Sequence, residues 1–145
     1  MGTQFNGMTL ENTDFFNLFT GCITMDRTFL GCTIGRITLP PNLKTIKSKA
    51  LDATFDLLIV PSSVTSMDKA FDGNNMPSGY GPNSKYYTGT MLLYPMTPPP
   101  LVYSIMTTKT RMKIYVPDAA VDTYKAATTW SSYASYIYPM SEYEE

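Results

Sequence analysis

The sequence predicts a short, β-rich repeat solenoid closed by a C-terminal helix, and three observations carry that prediction. The phrase Ile37-Thr38-Leu39-Pro40-Pro41-Asn42-Leu43-Lys44-Thr45-Ile46 returns 21 residues later as Leu58-Ile59-Val60-Pro61-Ser62-Ser63-Val64-Thr65-Ser66-Met67. The same spacing resumes further on, where Leu93-Tyr94-Pro95 and Ile114-Tyr115-Val116-Pro117 again stand 21 residues apart. After Pro117 the apolar residues fall at helical steps. A period near 21 with apolar residues in fixed slots marks stacked units, because one unit has nothing against which to bury its apolar side.

Taken in order, residues 1–36 read as irregular short turns with trimmed connections. Phe5-Asn6-Gly7-Met8-Thr9-Leu10, Phe19-Thr20-Gly21-Cys22-Ile23-Thr24-Met25 and Phe29-Leu30-Gly31-Cys32 share a Phe-x-Gly turn. The first two run into apolar-Thr-apolar triplets that alternate as half-buried strands do. No polar cap precedes Phe5, so the first strand edge is expected to need cover from another chain.

Residues 37–73 are two regular repeats. Proline ends each strand at Leu39-Pro40 and Val60-Pro61, since it donates nothing to a ladder. The segments that follow keep apolar slots at Leu43, Ile46 and Ala50, then at Val64, Met67 and Ala70. Those steps suit a short helical turn or an extended arc. Each repeat closes on a shared phrase, Lys49-Ala50-Leu51-Asp52-Ala53 and Lys69-Ala70-Phe71-Asp72-Gly73.

Residues 74–90 form an insertion loop rich in Gly, Pro and Asn, and loops of that length in compact domains commonly bind something. Residues 91–140 carry the terminal repeat and a helical cap. Asp118 is placed to cap a helix through Ala127, with Val121, Tyr124 and Thr128 on one face and Trp130 and Ile137 completing a lid. The acidic segment 141–145 is expected to fray. The whole chain, 1–145, is one domain.

Composition narrows the functional classes. Eleven basic and 12 acidic residues give a formal charge of -1 without clusters of one sign, which argues against nucleic-acid binding. The chain has no histidine, and its two cysteines alone make no metal site. No metal and no cofactor is expected. Cys22 and Cys32 permit a disulfide, but their shared slot in the Phe-x-Gly-Cys phrase favours two small buried side chains stacked in successive turns. No apolar run approaches the roughly 20 residues of a membrane span, and no leader pattern opens the chain.

Two segments have the outline of chemical motifs. Ser66-Met67-Asp68-Lys69 has the Ser-x-x-Lys spacing of serine acyl enzymes, without the partner motifs such enzymes need. Asp72-Gly73-Asn74-Asn75 lacks the alternating carboxylates of a calcium loop and reads as an Asx turn. The candidate interaction residues are Tyr80, Tyr86 and Tyr87 with Asn74 and Asn75, because tyrosine among small polar residues offers large contact area at low entropic cost. The spacing of Tyr94, Tyr115 and Trp130 makes them core residues.

The repeats resemble the BspA-like leucine-rich repeats of Bacteroidetes surface proteins, which also occur in secreted and phage-borne proteins. The residues that carry the resemblance are Leu39-Pro40-Pro41-Asn42-Leu43 with Ile46 and Ala50-Leu51, and Val60-Pro61-Ser62-Ser63-Val64 with Met67 and Ala70-Phe71. The family's terminal unit is matched by Thr97-Pro98-Pro99, Ile114-Tyr115-Val116-Pro117, Val121, Tyr124-Lys125-Ala126-Ala127, Trp130 and Ile137-Tyr138-Pro139-Met140. The resemblance is strongest over residues 37–140. It implies a right-handed leucine-rich-repeat solenoid with a parallel strand ladder on one face, serving binding or scaffolding. The expected role is a non-catalytic component of a larger assembly, such as a virion decoration, fibre or tail protein, contacting copies of itself or other subunits. A surface adhesion module that binds protein or glycan is the alternative, and a hydrolase is the third.

Overall fold

The computed structural model describes residues 5–71, 89–101 and 112–145. Among them are β1 (Thr9–Asn12), β2 (Thr24–Met25), β3 (Thr33–Thr38), β4 (Thr45–Ile46), β5 (Thr54–Val60), β6 (Thr90–Leu93), β7 (Lys113–Val116), α1 (Val121–Ala126) and β8 (Ile137–Pro139). The strands β1-β3-β5-β6-β7-β8 lie in that order in one sheet, every neighbouring pair parallel. Parallel neighbours require a crossover of a dozen or more residues. Here the crossovers build a second parallel ladder, β2 beside β4, which continues through a bridge from Thr45 to Ser66. The segments after the prolines, which the sequence left open between helix and arc, are therefore arcs, each a short extended stretch between turns.

The 21-residue period is a pairing register in both ladders. Thr33 pairs with Thr54 in the large sheet, and Thr24 with Thr45 in the small one. Later offsets are longer: Leu57 pairs with Thr90, and Met91 with Ile114. The second pairing corrects the alignment read from the sequence, which set Leu93 against Ile114. The strands slide by two residues, which preserves the inward and outward alternation because the side-chain period of a strand is two. Tyr94 then falls beyond the end of β6 and is 43% exposed, so it is not a core residue.

Between the two ladders lies the core. Ile37, Leu58, Met91, Ile114 and Ile137 form one inward row across five strands, each at most 2% exposed. Leu43, Ile46, Val64 and Met67 close it from the other side, all buried. A side chain of this kind gains about 1.5–3 kcal/mol when fully buried. A row spread over several layers thus makes each layer's stability depend on its neighbours.

The N-terminal layer is not trimmed. Thr9 pairs with Thr33, a longer circuit than the regular 21. The three Phe-x-Gly phrases do not share one corner: Phe5 and Phe29 begin equivalent turns whose glycines, Gly7 and Gly31, have φ of 70° and 69°. The Gly7 N–H donates to Leu30 O at 3.0 Å, across the two turns. Phe19-Thr20-Gly21-Cys22 instead leads into β2, on the other ladder. Cys22 and Cys32 are accordingly free and at different corners, Cys22 half-buried and Cys32 buried, not stacked in successive turns.

At the other end, a 3₁₀ turn at Asp118–Ala120 precedes α1. Asp118 does not cap the helix, and its carboxylate accepts the Ser141 N–H at 3.0 Å. Val121 is half-buried and Tyr124 fully buried, while Thr128 is exposed beyond the helix end. Trp130 is 1% exposed, and Ile137 joins the sheet in β8 instead of the lid. The segment 141–145 is held against the fold as far as Tyr143. Met140–Glu142 forms a 3₁₀ turn, the Tyr143 N–H donates to Met140 O at 3.1 Å, and the Tyr143 ring lies against Tyr115. Among the described residues no helix is long and apolar enough to cross a membrane.

Candidate functional site

Tyr80, Tyr86, Tyr87, Asn74 and Asn75 lie outside the described residues, as does Asp72 of the Asx turn. Ser66 and Lys69 are described, and their backbone does not suit acyl transfer. Ser66 sits in a parallel bridge beside Thr45, and Lys69 turns with φ of 56°. A Ser-x-x-Lys pair acts from one turn of a helix, where residues three apart share a face. Among the described residues no group of three or more Cys, Asp or Glu side chains is gathered where a metal ion would fit.

The feature with the most unusual surface chemistry is the N-terminal layer. β1 is the outermost strand of the large sheet among the described residues. It stops at Asn12, and Thr13 takes over its pairing. The Thr38 N–H donates to the Thr13 hydroxyl at 2.9 Å, and that hydroxyl donates to Thr38 O at 3.0 Å. One buried hydroxyl thus satisfies both backbone groups of a strand residue that has no neighbour on that side.

The chain then makes a 3₁₀ turn at Asp14–Leu18. Asp14 is held there by Arg36, whose guanidinium forks onto both carboxylate oxygens, and by the Thr38 hydroxyl at 2.8 Å. Donation from Arg36 first, then from Thr38, keeps the Asp14 carboxyl below its ordinary value. Asp14 in turn raises the Arg36 guanidinium, and Glu145 and Tyr143 add to that field.

The turn divides its apolar side chains. Phe16 is fully buried and stacks on Phe29 at 5.4 Å between ring centroids. Phe15 meets Phe16 edge-on at 4.8 Å and Phe19 edge-on at 6.1 Å, so the aromatic group is continuous from core to surface. Its outer members stand in solvent: Phe15 is 41% exposed, Leu18 80% and Phe19 38%. Single exposed apolar residues are ordinary, but a contiguous group beside a strand edge is the composition of a contact surface.

The sequence held part of the signal for this surface. Asp14-Phe15-Phe16-Asn17-Leu18-Phe19 has four apolar residues in six, more than one inward face of a 3₁₀ turn can bury.

Cys32 is another described group with a perturbed proton. Burial pushes its thiol up, and its S–H donates to Phe5 O, so it serves as packing and not as a nucleophile. No family model matches the chain, and a search of curated proteins finds no match to it.

Proposed function

We propose that this chain is a short right-handed leucine-rich-repeat solenoid of the BspA-like type, closed by its C-terminal helix, and that it works as a non-catalytic contact module in a larger assembly. The shared 21-residue register of Thr33 with Thr54 and of Thr24 with Thr45 supports the repeat, since it advances both ladders by one unit per circuit. Right-handed crossovers are the rule for parallel strands in one sheet. The buried lid of Tyr124 and Trp130 fits a terminal capping unit.

The assembly role rests on one observation, the exposed group Phe15, Leu18 and Phe19 at the turn that follows the edge strand β1. A strand edge and an apolar patch side by side invite a protein partner, which gains backbone hydrogen bonds from one and buried area from the other. A virion decoration, fibre or tail protein is the leading reading, and such a module works outside a cell. The partner is another copy or another subunit of the particle.

Light scattering on the isolated chain after size exclusion tests this. Concentration-dependent association is the expected result, and a monomer over a wide concentration range counts heavily against the reading. Surface adhesion would instead show as a monomer that binds glycan or host protein through the 74–90 loop. Hydrolase activity abolished by Ser66→Ala would overturn the non-catalytic reading.

A further inference from the structure

The outward face of the large sheet carries a row as continuous as the inward one. Thr38, Ile59, Leu92, Tyr115 and Tyr138 are successive cross-strand partners from β3 to β8. They alternate with the core row, so they point away from the second ladder. Leu92 and Tyr115 are nevertheless only 5% and 6% exposed, although neither belongs to the main core cluster. Something covers them from outside the sheet.

Part of that cover is the chain's own segment 141–145. Its pivot is fixed where Asp118 accepts the Ser141 N–H. Two residues on, the Tyr143 ring meets Tyr115 edge-on at 5.2 Å, while Tyr138 flanks Tyr115 on the same row at 5.7 Å. The segment therefore lies against the outer surface of the sheet at β7, its aromatic ring on Tyr115.

We infer that this outward row is a peptide-docking surface whose occupant is segment 141–145, seated in cis within one chain and exchangeable with the same segment of a second copy. The second copy is the matched partner because it brings the same Tyr143 ring to the same pair, Tyr115 and Tyr138. The ring contacts of the seat are made at Tyr115 on β7 and Tyr138 on β8 and use neither Phe15 nor Leu18, so they are read apart from the N-terminal contact. Exchange of an identical element is a low-cost route to association. In a single chain the tether supplies the segment at an effective concentration near 1 mM, so the cis form dominates in dilute solution.

A labelled peptide of residues 140–145, acting as the second copy's segment, tests this against the full-length chain. Tyr143→Ala leaves the seat intact and removes its occupant's ring, and Asp118→Ala releases the pivot without touching the seat. Both variants are expected to take up the peptide about ten-fold more tightly than the unaltered chain, as removal of a tethered competitor requires. Replacing tyrosine by alanine in the peptide should weaken capture. Equal binding to all three chains, or none to either variant, overturns the proposal. Self-association through the N-terminal layer is read separately by light scattering, and either result can fail alone.

Discussion

The indole N–H of Trp130 donates to the Pro99 carbonyl at 2.9 Å, and both residues are buried. Tyr124 makes the parallel contact, its hydroxyl donating to Pro95 O at 2.9 Å, and its ring meets the indole edge-on at 5.3 Å. The proline segment has few N–H groups, so its carbonyls depend on such donors. Burial pushes the Tyr124 phenol up, which keeps it a donor throughout the physiological range. Trp130→Phe leaves the Pro99 carbonyl buried without a partner and should cost about 1–3 kcal/mol. Chemical denaturation would show it as a lower midpoint at unchanged slope. An unchanged midpoint would mean that the lid does not bear on the proline segment.

Gly35 holds β1 to β3 by its lack of a side chain. A Cβ there would stand 2.6 Å from Glu11 O, a backbone atom that moves only with its strand. Gly35→Ala should therefore push β1 outward and destabilise the chain by about 1–3 kcal/mol, the usual cost of overpacking. Gly21 is the control, since a Cβ there meets nothing within 4 Å and its φ is not positive. Gly21→Ala should leave the midpoint within experimental scatter. Faster amide exchange confined to β1 and β3 in Gly35→Ala would place the damage where the contact is.

These contacts show how far the sequence could be read. The 21-residue period was legible because each circuit puts the same side-chain class at the same pairing level, as with Thr33 and Thr54. The outward row was not. It depends on cross-strand register, and the longer offsets at Leu57 with Thr90 and Met91 with Ile114 break the simple period. Segment 141–145 reads as a frayed acidic end because its anchors, Asp118 and Tyr115, are distant in sequence. The N-terminal surface lay between these cases. The apolar run from Phe15 to Phe19 is visible in the chain, but which of its members stand in solvent followed only from the split between buried Phe16 and exposed Phe15.

Acid should loosen both ends of the molecule. Asp14 lies below its ordinary value through Arg36 and Thr38, and Asp118 through the Ser141 N–H and hydroxyl. A carboxyl with a depressed folded value stabilises the fold fully above its unfolded value, near pH 4, and loses that contribution as pH falls through the folded value. Both groups are exposed, so the step should be shallow. The double variant Asp14→Asn, Asp118→Asn should flatten the fall in the denaturation midpoint below about pH 4. An undiminished slope would place the acid sensitivity in other carboxylates.

Phe15 and Phe16 are adjacent in sequence and opposite in consequence. Phe16 is fully buried against Phe29, so Phe16→Ala removes core volume and should cost about 3–5 kcal/mol. Phe15 and Leu18 face solvent in the single chain, and Phe15→Ser with Leu18→Ser should move the denaturation midpoint little. If the N-terminal layer is a contact surface, that same double variant should lower the average mass seen by light scattering at high concentration. Apolar area covered by a partner counts toward association only when the partner is present. A double variant that associates like the unaltered chain would locate the contact elsewhere. One that unfolds would show instead that Phe15 and Leu18 belong to the core with Phe16.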